Sequence, residues 1–432
     1  MSEDWLRDLK WNGIAYAVMA GIGVLVLVGM WLFVPMLRRR WLPLPRLRPG
    51  SWSGFDVVLT WCVMFGFPLI IIAVLLKLRF FVPLLGTEPE FEPPTPALKL
   101  YLERCQIISS PLILAVTLGM VLALHFARSR TRPHQYGVSW ARWPANLALG
   151  LAAFIVATPV VLGLYTVFTV IVPERPHQLT ELGKQNLDEW EWILLGFQAI
   201  VAAPLVEEIV FRGILQGWLR RASLRGHVTV GVMTIFFAAM WYTPSAQPWA
   251  ILEYLPPMLF AGSLVAVYGF LLLRMARRFK LTETERFEWQ LQPVASAPET
   301  SESILKEQVA QTLLQVRQQA DERRRQWADA NADLAILGSA MFFAVAHMQA
   351  WPGPLALILL AVVFGWMARR TQSLIGPITA HALFNLVAFL ALYGSVREAP
   401  PQNGNASTTA VRPSLVGSTT SSVPGSQLPL RK

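Results

Sequence analysis

Apolar runs of about twenty residues recur along this chain of 432 residues, and they constrain its fold more than any other feature. A run of that length forms a helix that can cross the hydrocarbon core of a bilayer. Hydrophobic residues make up 54% of the chain and charged residues only 15%, a balance typical of membrane proteins with many spans. We therefore predict an all-α fold, a polytopic bundle of transmembrane helices.

The positions of the arginines predict the topology of this bundle. Clusters of basic residues follow every second apolar run, beginning with Arg38, Arg39 and Arg40, whereas the alternate loops are acidic or poor in basic residues. Positive charge marks the cytoplasmic loops of membrane proteins. The pattern predicts a multi-pass protein of the cell membrane with both termini outside. Its ten predicted spans are residues 13–36, 56–78, 106–127, 146–172, 190–219, 228–243, 254–273, 334–350, 354–368 and 374–394.

The basic character of the chain has the same explanation. The formal net charge is +10, but the basic residues lie at the ends of apolar runs and form no continuous basic face. This distribution argues against nucleic acid as a partner and indicates the lipid bilayer instead.

The sequence divides into three regions. Residues 1–172 form an N-terminal accessory region of four spans, residues 190–394 carry the polar residues discussed below, and residues 396–432 are rich in Pro, Ser, Thr, Asn and Gly and should be disordered. The middle region is interrupted by an insert at 244–333, which we expect to contain an extra span and a cytoplasmic amphipathic helix, because 303–333 has no Gly or Pro and its apolar residues recur at helical spacing.

Strongly polar residues occur within three of the predicted spans of the middle region. Counted from the basic or acidic residues at the cytoplasmic ends, they lie roughly 16–23 Å into the membrane at about 1.5 Å per residue. Ionisable residues at such depth usually mark a functional site. The residues that define this level are Glu207, His347, His381 and Asn385, with Glu208 and Arg212 beside the first of them.

Two kinds of chemistry are open to these residues. Glu207 and His347 could activate a water molecule, the carboxylate acting as general base, while His381 and Asn385 donate hydrogen bonds to the oxyanion of an attacked carbonyl. Glu207, His347 and His381 could instead bind a zinc ion that activates the water. Each residue also has a structural interpretation, since Glu208 and Arg212 are spaced as an intrahelical ion pair and membrane histidines often join neighbouring helices.

The arrangement resembles the CPBP family of intramembrane endopeptidases, named for CAAX proteases and bacteriocin-processing proteins and also called the Abi family. Three motifs carry the resemblance, in order, over residues 190–394: Glu207-Glu208-x-x-x-Arg212, Phe343-x-x-x-His347 and His381-x-x-x-Asn385. The resemblance implies that Glu207 and His347 activate water, that His381 and Asn385 stabilise the oxyanion, and that Glu208, Arg212 and Phe343 shape the site. It leaves open whether a metal is bound.

The resulting hypothesis is an intramembrane endopeptidase similar to CAAX prenyl endopeptidases. Its expected substrates are membrane-associated peptides or proteins, with lipidated ones implied by the family name. A non-proteolytic scaffold or regulator of the same family is the first alternative. A proton-coupled transporter using Glu207 and the histidines as a relay is the second.

Overall fold

The structure is a computed structural model that describes residues 52–86, 96–171, 187–240, 251–278 and 302–398. Every regular element in these ranges is helical. We number the helices in chain order: α1 Gly54–Lys77, α2 Val82–Leu85, α3 Pro96–Ser129, α4 Trp143–Ile171, α5 Glu189–Leu219, α6 Leu224–Met240, α7 Ile251–Arg278, α8 Glu302–Ala346, α9 Pro354–Thr371 and α10 Ile375–Glu398.

The predicted fold class is confirmed. Among the described residues, 8 helices are long and apolar enough to cross a membrane, and α6 is a shorter apolar helix. The predicted span 13–36 lies outside the described residues. So does the predicted disordered tail beyond residue 398, where α10 ends.

Helix α8 differs from the two elements expected in its place. The amphipathic helix at 303–333 and the span at 334–350 form one helix of 45 residues, about 68 Å long. The reason is that the first Gly or Pro after residue 302 is Gly338, so nothing in the sequence ends a helix at the membrane surface. The helix ends at Ala346, before the predicted boundary, so that His347 begins the turn to α9.

Close backbone contact joins α4 to α10. A Cβ atom placed on Gly150 would lie 2.6 Å from the carbonyl oxygen of Gly376, so the two helices approach as closely as small residues permit. Through this contact and its apolar neighbours Leu149, Ala153 and Ala380, α4 supports the helix that carries His381. An N-terminal span thus braces one wall of the polar region.

The centre of the molecule is an aromatic cluster. Trp61 of α1 packs edge-on against Phe211 of α5 and Phe342 of α8, with ring centroids 5.2 and 4.6 Å apart. Phe237 of α6 packs edge-on against Phe342 at 4.9 Å. Helices from both sides of the predicted insert therefore share one core.

A buried polar network ties α6, α7 and α8 to the end of α5. The two ring nitrogens of His227 contact Tyr268 Oη and Asn331 Oδ1. Asn331 in turn donates from Nδ2 to the carbonyls of Leu219 and Arg220, at 3.2 and 3.0 Å. These contacts satisfy carbonyl groups that the end of a helix leaves without backbone donors.

Candidate active site

The helix that carries the two glutamates is not a regular α-helix. Within α5, segments Gln198–Ala202 and Glu208–Leu215 are π-helical, and the short α-helical stretch Ala203–Glu207 lies between them. Pro204 at the start of that stretch cannot donate a backbone hydrogen bond. Single π-helical turns of this kind occur frequently at functional sites.

Glu207 stands between the two histidines. Its Oε2 lies 3.7 Å from His347 Nε2 and 3.8 Å from His381 Nε2, and it has no hydrogen-bond partner among the described residues. Both distances exceed that of a direct hydrogen bond. The side chains of Glu207 and His347 are 26% and 29% exposed, although Glu207 Oε2 itself is buried.

Glu208 faces the opposite way, into the protein. Its Oε1 accepts hydrogen bonds from Arg212 Nη1 at 2.8 Å and from His381 Nδ1 at 2.9 Å. Glu208 is fully buried and Arg212 is 4% exposed. The pair brings one negative and one positive charge into the membrane together, which leaves the carboxylate of Glu207 as the additional charged group.

Aromatic rings surround the Arg212 guanidinium. Its carbon lies 4.5 Å from the ring centroid of Phe343 and 5.3 Å from that of Phe364, positions that allow cation–π attraction. Phe364 also packs against His381, with centroids 5.3 Å apart. Phe364 could not be predicted as a site residue, since a phenylalanine on an apolar helix gives no signal that separates a site residue from a core residue.

The orientation of His347 is fixed by its position at the end of α8. Its Nδ1 lies 2.8 Å from the carbonyl oxygen of Phe343, and since a carbonyl only accepts, Nδ1 carries the hydrogen. In the neutral imidazole, Nε2 is then an acceptor facing Glu207. The ring also packs on Phe343, with centroids 4.4 Å apart, which explains the spacing of four residues in that motif.

Asn385 points at the backbone of α5. Its Nδ2 donates to the carbonyl oxygen of Ala199 at 2.8 Å, within the first π-helical segment. The described contacts therefore join Glu207 to His347 and His381, and Glu208 to Arg212 and His381, while Asn385 is bonded elsewhere. A role for Asn385 at an oxyanion stays a prediction.

The fit of a zinc ion can be judged from the candidate ligands. Ligands on a tetrahedral zinc lie roughly 3.3–3.6 Å from one another, somewhat less than the separations of 3.7 and 3.8 Å from Glu207 Oε2 to the two imidazoles. Within the described ranges, no group of three or more His, Cys, Asp or Glu side chains has an arrangement that could hold a metal ion. Glu207 Oε2 is thus slightly farther from the two imidazoles than two ligands of one zinc ion would be, and zinc binding by Glu207, His347 and His381 stays a prediction.

A comparison with protein families matches two segments of the chain. Residues 189–279 and 309–387 match the family model described as Rce1-like, Type II CAAX prenyl endopeptidase Rce1-like. The match contains all three motifs, in the order that the sequence analysis used. The resemblance to the CPBP family is confirmed over these residues. The Rce1-like match includes α6 and α7 and leaves out residues 280–308. Most of the predicted insert at 244–333 therefore lies within the family model.

No curated protein and no solved structure matches the chain. The assignment to the family therefore rests on the family model and on the motifs. At family level it supports an intramembrane endopeptidase of the CAAX type, acting on a peptide or protein in a membrane.

Proposed function

We propose that this protein hydrolyses peptide bonds of membrane-associated substrates, with Glu207 as general base. The observation that carries the proposal is the position of Glu207 Oε2, which lacks a hydrogen-bond partner among the described residues and lies within 4 Å of the imidazoles of both His347 and His381. A water between Glu207 and His347 donates one hydrogen to each, because both facing atoms are acceptors. Its lone pair is then free to attack a carbonyl carbon.

The proposed reaction needs only the groups already described. The water oxygen bonds to the carbonyl carbon as one water proton passes to Glu207, and the carbonyl oxygen becomes an oxyanion. His381, whose Nδ1 is bonded to Glu208, donates to that oxyanion from Nε2, the nitrogen on the side of Glu207. The C–N bond then breaks, and Glu207 returns its proton to the leaving amine.

A zinc-bound water is the alternative way to activate the nucleophile. It requires that the imidazoles of His347 and His381 and the carboxylate of Glu207 move closer to a common centre than they are. A chelator experiment separates the two alternatives.

The substrate class proposed from the family is a lipidated peptide with a C-terminal CAAX sequence. Its lipid would lie among the bilayer chains, where it holds the peptide at the membrane. An unlipidated peptide of the same sequence is the matched control, because it presents the same bond without the anchor.

The test is cleavage of both peptides by purified protein in lipid vesicles, with and without chelator. Glu207→Gln and His347→Ala should each lower the rate by about 10²–10⁴-fold. Glu189→Gln is the matched control, since Glu189 lies on the same helix and pairs with Arg397 at the surface. Cleavage of neither peptide by the wild type, or equal cleavage by the variants, would favour the scaffold alternative. Loss of activity in chelator, restored by zinc, would favour the metal.

A further inference from the structure

The carbonyl oxygen of Ala199 has no backbone N–H of α5 in the usual position to donate a hydrogen bond to it. The N–H of Ala203, four residues on, bonds to Gln198 O instead. The next residue, Pro204, has no N–H. A carbonyl without a donor is strongly unfavourable at membrane depth, so this position requires a donor from outside the helix.

Asn385 of α10 supplies that donor. Its Nδ2 lies 2.8 Å from Ala199 O, and α10 packs against the Gln198–Ala202 segment. Farther along the same interface, Trp192 of α5 packs edge-on against Phe389 and Tyr393 of α10. The hydrogen bond thus anchors the irregular turn of α5 to a helix that is already in contact with it.

The irregular turn also sets the direction of the two glutamates. A π-helical turn accommodates one more residue than an α-helical turn, and one residue corresponds to about 100° of rotation around the axis. Glu207 ends the α-helical stretch that follows this turn, and Glu208 begins the second π-helical segment. The directions of Glu207 toward His347 and of Glu208 toward His381 therefore depend on the turn staying π-helical.

We propose that Asn385 is a positioning residue, whose hydrogen bond to Ala199 O replaces the donor that Pro204 lacks and thereby aims Glu207 at the two histidines. The kinetic part of this inference rests on the proposed function. The structural part, the coupling between positions 204 and 385, does not.

The test is whether a backbone N–H can replace the Asn385 side chain. Asn385→Ala should lower kcat by about tenfold or more, as expected for a displaced catalytic group, with KM unchanged within about twofold, and should lower the unfolding temperature in detergent. Adding Pro204→Ala returns an N–H at the residue five positions after Ala199. The double variant should recover most of both losses. The matched control adds Pro159→Ala, from the interior of α4, and should recover neither.

The outcomes separate this inference from the proposed function. If the wild type cleaves no peptide, the unfolding temperature alone tests the contact. Recovery of that temperature in the double variant supports the contact between Asn385 and Ala199, and no recovery overturns it. If the double variant regains stability but no activity, Asn385 acts on the reacting groups directly and the positioning role is wrong. The positioning role is also wrong if adding Pro204→Ala recovers neither kcat nor the unfolding temperature.

Discussion

At the scale of single residues, the site combines a buried ion pair with an unpaired carboxylate. Glu208 is bonded to Arg212 and His381 and cannot reach the open side of the cluster. Glu207 is adjacent in sequence but points the other way, because successive residues on a helix are rotated by about 100°. Adjacent glutamates thus have different roles: one is held inside the protein and the other is available to a ligand.

Arg212 should be essential for stability. Arg212→Gln leaves the carboxylate of Glu208 buried without its cation, and we expect a loss of roughly 3–5 kcal/mol in the free energy of unfolding. Thermal unfolding in detergent measures the effect. Arg225→Gln is the control, since Arg225 lies on the exposed surface of α6 and should change stability by less than about 0.5 kcal/mol. Equal shifts in the two variants would contradict the importance of the pair.

Phe343 should affect cleavage beyond its effect on packing. Its ring touches both His347 and Arg212, whereas the neighbouring Phe342 is equally buried but packs on Trp61 and Phe237. Phe343→Leu and Phe342→Leu should lower the unfolding temperature similarly, since both remove buried ring contacts. Only Phe343→Leu should also lower the cleavage rate of the folded protein. A similar rate loss in both would make Phe343 an ordinary core residue.

The sequence predicts part of this residue-scale arrangement. Counting helical rise brings Glu207, His347 and His381 to one level, and the structure brings these three side chains together. The partner of Asn385 could not be predicted in the same way. Its bond to Ala199 depends on a π-helical turn, and the spacing of residues in a sequence does not show how many residues a turn contains.

At the scale of helices, the contact of α4 with α10 depends on glycine. Gly150→Ala should destabilise the protein, because its Cβ would meet the backbone oxygen of Gly376 at 2.6 Å and overpacking of this kind costs roughly 1–3 kcal/mol. Gly119→Ala in α3 is the control, since no atom lies within 4 Å of its Cβ position. That change should be neutral or slightly stabilising, as removal of a helical glycine usually is. Thermal unfolding of both variants tests the difference. A Gly150→Ala variant as stable as the wild type would show that α4 and α10 can move apart without loss of stability.

Helix ends were predictable where the sequence provides a capping signal. Helix α1 begins after Ser53, whose side chain and that of Asp56 form a capping box, and α9 begins at Pro354. The end of α8 at Ala346 had no such signal, since the following residues His347 and Met348 are compatible with a helix. His347 contacts Phe343 locally, four residues back, and Glu207 on another helix, and the second of these contacts cannot be read from helical spacing.

At the scale of the whole molecule, the helices between the first and second motifs are integral to the core. Asn331 joins α8 to the last carbonyls of α5 and, through His227, to α6 and α7. Asn331→Leu removes these bonds and should lower the free energy of unfolding by roughly 1–3 kcal/mol for each buried group left unsatisfied. Gln326→Leu, at an exposed position on the same helix, should have little effect. If both variants unfold like the wild type, the network does not hold these helices in place.

Hydropathy and charge predict the class of molecule well because lipid limits a spanning segment to few structures. They do not predict which helices touch. Trp61 of α1 reaches Phe211 and Phe342, a contact between regions that the sequence analysis treated as separate. Such packing depends on the shapes of apolar side chains, which are alike in hydropathy.

The π-helical turns of α5 also affect how this chain should be aligned with its relatives. Removing one residue from Gln198–Ala202 would give a more regular helix, yet it would turn one part of α5 against the other by about 100°. Glu207 would then no longer face both histidines while every hydropathy profile stayed the same. Relatives that have a regular helix here should therefore show a gap of one residue, and an alignment that omits this gap would pair the wrong residues on one side of it.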